Sequence, residues 1–167
     1  MTYGKIIGGG MPVGAYAGSR ALMEQVAPTG PVYQAGTLSG NPVAMAAGLA
    51  QLNIITDHPE IYTVMETSAS YIANHLRASA EKHGIAMQVN QIGSLLCPYF
   101  TETPVNCYAA AKKSDTKRYA AYFNGMLKRG IYLAPSQFEA MFVSSVHTQN
   151  DLACTVQAAE ETLSEMA

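Results

Sequence analysis

The sequence predicts an α/β fold in two parts: the end of a larger domain over residues 1–59 and a small α+β domain over residues 60–167. The first part is rich in glycine and poor in charge, and no helix or strand precedes it that could serve as its scaffold. After residue 60 amphipathic helices alternate with short apolar strands, which is typical of a self-contained α+β domain. We therefore place the domain boundary near residues 57–60.

Composition limits the classes of function. Charged residues make up 13% of the chain and hydrophobic ones 49%, which leaves apolar surface for a partner chain or a further domain to cover. The formal net charge of -2 gives no electrostatic support for binding nucleic acid or an acidic membrane. No secretory leader opens the sequence, and no apolar run is long enough to span a bilayer. We expect a cytoplasmic protein, or a protein of the plastid stroma in a photosynthetic eukaryote.

The three cysteines, Cys97, Cys107 and Cys154, are odd in number and lack a CxxC spacing. They are expected to be buried or free thiols in a reducing compartment, since neither a disulfide framework nor a zinc site fits this pattern. No other set of residues has metal-ligand spacing or the order of a Ser-His-Asp triad, so no metal is expected.

In the first part, residues 12–18 predict a short buried strand bounded by proline and glycine. A short helix is predicted over residues 19–26, and the glycines and prolines of residues 27–40 indicate an ordered loop.

Asn41 and Pro42 then predict the start of a second helix, with asparagine as the N-cap and proline in the first turn. This helix, over residues 43–55, is apolar nearly all round, which predicts that it is buried on every side, either within a domain or in a dimer interface.

The second part predicts four helices and four strands. They are a helix over 60–83, strands over 86–92 and 95–100, a short helix over 107–113, a helix over 115–129, strands over 131–134 and 141–146, and a final helix opened by a capping box at Thr148.

Lys5 is the first candidate for chemistry, because it lies between a glycine and two isoleucines that three further glycines follow. An amine on such a thin, apolar segment is expected to be poorly hydrated, which lowers the pKa of a lysine and favours its neutral, nucleophilic form. A Schiff-base lysine needs that property, and glycines let a flat ring approach the backbone. A solvated loop lysine remains the alternative.

The second candidate is the stretch over residues 36–42, where a hydroxyl, two glycines and exposed loop amides stand immediately before a helix. Unpaired N–H groups and the positive end of the helix dipole make such a place suitable for a phosphate. A plain capped turn is the alternative.

Residues 5–16 resemble the lysine segment of class III pyridoxal-phosphate aminotransferases. Residues 27–42 resemble one branch of that family, whose members isomerise glutamate-1-semialdehyde to 5-aminolevulinate for tetrapyrrole synthesis, and residues 133–140 are similar to a later segment of the same branch. The resemblance covers essentially the whole chain.

The resemblance implies a fold-type I transferase that uses pyridoxal 5'-phosphate, with a pyridoxamine 5'-phosphate form in the cycle. It implies that Lys5 is the Schiff-base lysine and carries the proton between two substrate carbons. It further implies a homodimer acting on a small molecule, in which Gly36 and Thr37 bind the cofactor phosphate of the neighbouring subunit. Glu139 would lie in a segment near the active site; a surface acid in a turn is its alternative.

The family's chains are more than twice as long as this one, and the part they have in addition precedes residue 1. That part supplies the acidic partner of the pyridine nitrogen, the aromatic residue over the ring and the main phosphate loop. We therefore expect this chain to be the C-terminal part of such an enzyme and not to catalyse alone. An ordinary class III aminotransferase and a non-catalytic dimerisation fragment remain alternatives.

Overall fold

The computed structural model describes residues 1–167, and the chain divides into two compact units, Met1–Pro59 and Glu60–Ala167. No helix in either unit combines the length and the apolar character that crossing a membrane requires.

The first unit has little regular structure before its long second α-helix. Its elements are β1 (Thr2–Tyr3), a 3-10 helix (Lys5–Gly8), β2 (Ala15–Tyr16), α1 (Arg20–Met23) and α2 (Pro42–Asp57). β1 and β2 pair in antiparallel fashion and close a loop over residues 4–14. The strand predicted over 12–18 is therefore shorter than expected and exposed, because only two of its residues meet a partner strand.

The start of α2 confirms the predicted cap. The Asn41 side-chain oxygen accepts hydrogen bonds from the backbone N–H groups of Val43 and Ala44, both at 3.1 Å, and Pro42 occupies the first helical position. Burial of this helix within the first unit, one of the two predicted options, is not found, while burial in a dimer interface stays a prediction. Of its residues only Ala44 and Gly48 are buried, since no second layer of the unit covers the opposite faces. The large exposed apolar side chains of α2 are Val43, Met45, Leu49, Leu52 and Ile54.

The second unit is an α+β fold around a three-stranded antiparallel sheet in the order β3–β4–β5. Its elements are α3 (Glu60–Lys82), β3 (Gln88–Ile92), β4 (Leu95–Tyr99), α4 (Tyr108–Ala111), α5 (Thr116–Lys128), β5 (Met141–Phe142) and α6 (Gln149–Glu165). The register places Ile92 opposite Leu95, so that Gly93, with φ at +52°, lies in the tight connection.

Local signals in the sequence place the helices of this unit correctly. The Asp115 carboxylate caps α5 by accepting from the N–H groups of Lys117 and Arg118. At α6, the Thr148 hydroxyl accepts from the Asp151 N–H, while the Asp151 carboxylate accepts from the Thr148 N–H, which completes the predicted capping box.

The core of the second unit lies between the sheet and the helices α3, α5 and α6. Large side chains that are almost completely buried there are Leu76, Tyr122, Met126 and Leu163. The ring of Phe100 packs against those of Tyr119 and Tyr122, with centroids 6.5 and 5.7 Å apart, which adds aromatic contact to the aliphatic core.

Two strand predictions need correction. Residues 131–134 form no strand: Ile131 and Leu133 pack on the core as the pattern requires, but their backbone pairs with no neighbouring strand. The strand predicted over 141–146 is limited to β5, followed by a single hydrogen bond from the Val143 N–H to the Ser94 carbonyl. An alternating apolar pattern predicts which side chains are buried, but it does not predict whether a neighbouring strand is available for pairing.

An ionic cluster joins the end of α3 to α6. Lys82 Nζ lies 2.5 Å and His83 Nε2 lies 2.9 Å from the same oxygen, Glu160 Oε1. The hydrogen bond from Lys82 is the largest cause of the lowered pKa of Glu160, which falls to about 2.

This pKa predicts how the stability of the second unit depends on pH. A carboxyl whose pKa is lower in the folded state stabilises the fold above its unfolded pKa of 4.5, and the contribution is lost as the pH falls toward about 2. Glu160→Gln should therefore flatten the fall in the free energy of unfolding between these pH values. Urea unfolding followed by circular dichroism measures this, with Glu81→Gln on the exposed side of α3 as the control. If the free energy of unfolding depends on pH equally in both variants, the lowered pKa of Glu160 does not cause the loss of stability in acid.

Candidate active site

Lys5 is the first residue of the 3-10 helix and has an uncommon backbone conformation. Its φ angle is +55°, and it is the only residue other than glycine with a positive φ. The left-handed region costs a residue with a side chain about 1–2 kcal/mol. Such conformations cluster at functional sites, where the surrounding structure holds them in place, so the backbone of Lys5 supports a functional interpretation.

The predicted poor hydration of Lys5 is not found in this chain. Lys5 is exposed, the following Ile6 is 65% exposed, and burial begins only at Gly8. The segment is apolar as its sequence indicates, but no element of the first unit packs over the amine. The amine has no hydrogen-bond or ion-pair partner in the described residues, and it is therefore sterically available to a ligand.

Two neighbours fix the segment that carries Lys5. The β1–β2 pair closes the loop at its base. On another side the 3-10 helix packs against the middle of α2, where the backbone of Ile7 approaches Gly48 and Gly9 approaches the carbonyl of Ala47. Lys5 thus lies at one end of a segment that is anchored both by strand pairing and by a helix.

Gly36 and Thr37 lie immediately before α2, where Thr37 opens a turn that ends at Gly40. The first N–H groups of α2 are not free to bind an anion. Asn41 takes the first two N–H groups of α2 for its own cap, and the Met45 N–H donates to the Asn41 carbonyl. Donors that remain for a ligand lie in and just before the turn, and they include the Thr37 hydroxyl and the N–H groups of Gly36 and Thr37, none of which has a partner.

The segments that carry Lys5 and Thr37 adjoin α2 at different positions. The Lys5 segment packs on the middle of α2, near Ala47 and Gly48, whereas Thr37 precedes the first turn. No hydrogen bond joins the two residues. Within one chain they are separate half-sites.

Glu139 belongs to the second unit and is exposed in an ordered turn. Its N–H donates to the Ser136 carbonyl, and the Cys97 thiol lies 3.6 Å from the Glu139 carbonyl and 3.2 Å from that of Gln137. At the start of this segment the Tyr119 hydroxyl donates to the Ala134 carbonyl at 2.6 Å. Side chains of the core therefore hold the backbone that presents Glu139.

These anchoring side chains sit in a poorly hydrated environment. Burial raises the pKa of Cys97, and burial also raises the pKa of Tyr119 to about 12. Both groups stay protonated near neutral pH and can donate their hydrogen bonds. The three cysteines are free, with Cys97 buried and Cys107 and Cys154 exposed, which confirms the interpretation as thiols.

Sequence reasoning missed the side chains around this turn. Gln137 is only 2% exposed, and neither its amide nitrogen nor its oxygen has a partner. Phe138 lines a cavity of about 490 Å³ together with Tyr99 and Asn90. A second, mostly apolar cavity of about 360 Å³ lies beside residues 131–135. These contacts join residues about forty positions apart, and no local pattern signals them.

The comparisons with known proteins agree over almost the whole chain. The family model described as "Aminotransferase class-III" matches residues 1–161. A protein of Ruminiclostridium cellulolyticum named glutamate-1-semialdehyde 2,1-aminomutase is 60% identical over 165 residues, which are 99% of this chain and 38% of that protein. A protein of Lachnoclostridium phytofermentans named glutamate-1-semialdehyde 2,1-aminomutase 2 is 54% identical over 162 residues, which are 97% of this chain and 38% of that protein.

Solved structures confirm the fold that the resemblance implied. A β-phenylalanine aminotransferase from Variovorax paradoxus matches with a TM-score of 0.86 and 30% identity over 98% of this chain and 38% of that one. The present chain thus spans well under half the length of the relatives it matches. By the extent of the family match and by its fold, the chain belongs to the class III aminotransferase family.

Proposed function

We propose that this chain supplies the Schiff-base lysine and part of the phosphate site of a glutamate-1-semialdehyde 2,1-aminomutase, which forms 5-aminolevulinate for tetrapyrrole synthesis. The observation that carries the proposal is the exposed, unpaired amine of Lys5 on a strained and anchored segment. The chain is 60% identical to the matching part of a protein of that name, which supports this reaction over others in the family. The predicted cytoplasmic location stays a prediction.

The residues present fit pyridoxal 5'-phosphate at two points. The amine of Lys5 is free to bind the cofactor covalently. The Thr37 hydroxyl and the N–H groups of Gly36 and Thr37 are free to bind a phosphate. When bound, the cofactor supplies an electron sink for charge that develops on a substrate carbon. Lys5 Nζ would then carry a proton between the two neighbouring carbons of the substrate.

We further propose a homodimer in which the half-sites come from different subunits. Within one chain no hydrogen bond joins Lys5 and Thr37, and their segments adjoin α2 at different positions, as expected if Thr37 binds the phosphate held by the partner subunit. Light scattering measures the mass of the active protein, which is the graft described in the next paragraph. A graft that is monomeric and fully active would contradict the proposed homodimer.

A graft tests the reaction. The matching 165-residue stretch of the R. cellulolyticum relative is replaced by this chain, and the graft is given glutamate-1-semialdehyde without a separate amino acceptor. We expect 5-aminolevulinate to form from this single substrate. Turnover only after addition of a second substrate would favour an ordinary class III aminotransferase. No turnover, from a folded graft that binds no cofactor, would favour a non-catalytic fragment.

Thr37→Ala in the graft is expected to raise the Kd for pyridoxal 5'-phosphate about 10-fold or more, because a hydrogen bond to a charged group contributes about 1.5–3 kcal/mol. Titration of the cofactor absorption band measures the Kd. Thr29→Ala, an exposed threonine of the preceding loop, is the control. Equal Kd values for the two variants would rule out the phosphate role of Thr37.

A further inference from the structure

The 3-10 helix of Lys5 and the helix α2 meet at two glycines, with backbone against backbone. A Cβ atom on Gly48 would lie 2.8 Å from the Ile7 carbonyl oxygen, and one on Gly9 would lie 2.5 Å from the Ala47 carbonyl oxygen. Ordinary contacts of a Cβ atom begin near 3.4 Å. Both clashes involve backbone atoms, so no side-chain rotation could relieve them.

Gly48 is unfavourable for α2 itself. A glycine in the interior of a helix costs roughly 0.5–1 kcal/mol relative to alanine. The same helix carries alanine, the residue with the highest helix propensity, at four nearby positions, 44, 46, 47 and 50. Judged by the helix alone, Gly48→Ala would be stabilising. The close approach of Ile7 is the contact that a larger residue at this position would remove.

A displacement of Ile7 is passed on to Lys5, because the segment between them is short and constrained. The 3-10 helix is four residues long, the Gly9 N–H closes it on the Ile6 carbonyl at 3.1 Å, and Lys5 holds a positive φ at its start. The β1–β2 pair fixes the other end of the loop. The segment therefore has to tilt as a body when α2 pushes it away.

We propose that Gly48 is a positioning residue for Lys5: by admitting the Ile7 carbonyl to the surface of α2, it sets where the Lys5 amine stands along that helix. This inference rests on the proposed function for its chemical meaning and on the backbone contact for its geometry. The required displacement is about 0.6 Å. Misplacement of a reacting group by about 1 Å can cost on the order of 100-fold in rate, so a loss of about 10-fold or more is expected.

The first test observes Lys5 directly in the 167-residue chain. Its lysines are reductively dimethylated with ¹³C-formaldehyde and observed by NMR. The methyl signal of Lys5 is the one that disappears in Lys5→Arg. Gly48→Ala should move this signal. Gly9→Ala is a less specific second variant and should move the same signal, because its Cβ would meet the Ala47 carbonyl and its φ of +57° adds backbone strain. Circular dichroism checks that the helices are retained.

Gly125→Ala is the matched control. Gly125 is also a closely packed glycine of a helix, since its Cβ would lie 2.4 Å from the Thr162 Cγ2 atom, but it belongs to α5 in the second unit. This variant should change the stability of the second unit and leave the Lys5 signal in place. An unmoved Lys5 signal in Gly48→Ala would overturn the proposal, as would an equal movement in Gly125→Ala.

The second test uses the graft loaded with pyridoxal 5'-phosphate. Gly48→Ala should lower kcat about 10-fold or more and shift its pH profile, whereas Gly125→Ala should leave the pH profile unchanged. Unchanged kcat and pH profile in Gly48→Ala would overturn the positioning role. If the unsubstituted graft is inactive while the Lys5 signal still moves in the chain, the proposed function fails and the positioning contact is supported. The two failures are thus distinguishable.

Discussion

Lys5→Ala in the graft is expected to lower the rate of 5-aminolevulinate formation on the order of 1000-fold or more. The substitution removes both the covalent bond to the cofactor and the group that moves the proton, and proton transfer alone contributes about 100- to 10,000-fold. Lys5→Arg should be equally inactive, because it keeps a positive charge but offers no nucleophilic amine at neutral pH. The assay is single-substrate turnover with saturating cofactor.

Lys117→Ala is the control for this loss, since Lys117 is an exposed lysine of α5 that plays no part in the proposed site. It should retain the full rate. A Lys5→Ala variant that keeps more than about a tenth of the full rate would show that Lys5 neither binds the cofactor covalently nor transfers the proton.

Leu76→Ala is expected to lower the free energy of unfolding of the second unit by about 2–5 kcal/mol. Leu76 is 1% exposed in the core between α3 and the sheet, and truncation leaves a cavity that the packed aromatic and aliphatic neighbours cannot fill. Urea unfolding followed by circular dichroism measures the change.

Leu127→Ala serves as its matched control, because this leucine of α5 is 45% exposed. The cost there should be well under half of that at Leu76, since less apolar surface is lost from contact. Equal costs at the two positions would mean that the described core does not carry the stability of the unit.

The sequence predicts what is decided locally. The caps at Asn41, Asp115 and Thr148 lie where the side-chain pattern indicates, because each cap bonds to N–H groups two or three residues away. The lysine and the Thr37 turn could be singled out for the same reason, since their motifs are short and continuous.

Features that depend on distant partners could not be predicted. The exposed faces of α2 follow from what packs beside the helix, which a helical pattern does not contain. The approach of Ile7 to Gly48 joins residues about forty positions apart, as does the bond from Cys97 to the turn of Glu139. Residues 131–134 lack a strand although their apolar pattern suits one, because pairing needs a neighbour in space.

The central claim is that Lys5 is the lysine that binds the cofactor. The most direct measurement mixes the graft with pyridoxal 5'-phosphate, reduces it with borohydride and locates the adduct by mass spectrometry of peptides. The account predicts one adduct, on Lys5, that is absent in Lys5→Ala and unchanged in Lys117→Ala. Adducts spread over exposed lysines, or an adduct that persists in Lys5→Ala, would contradict it.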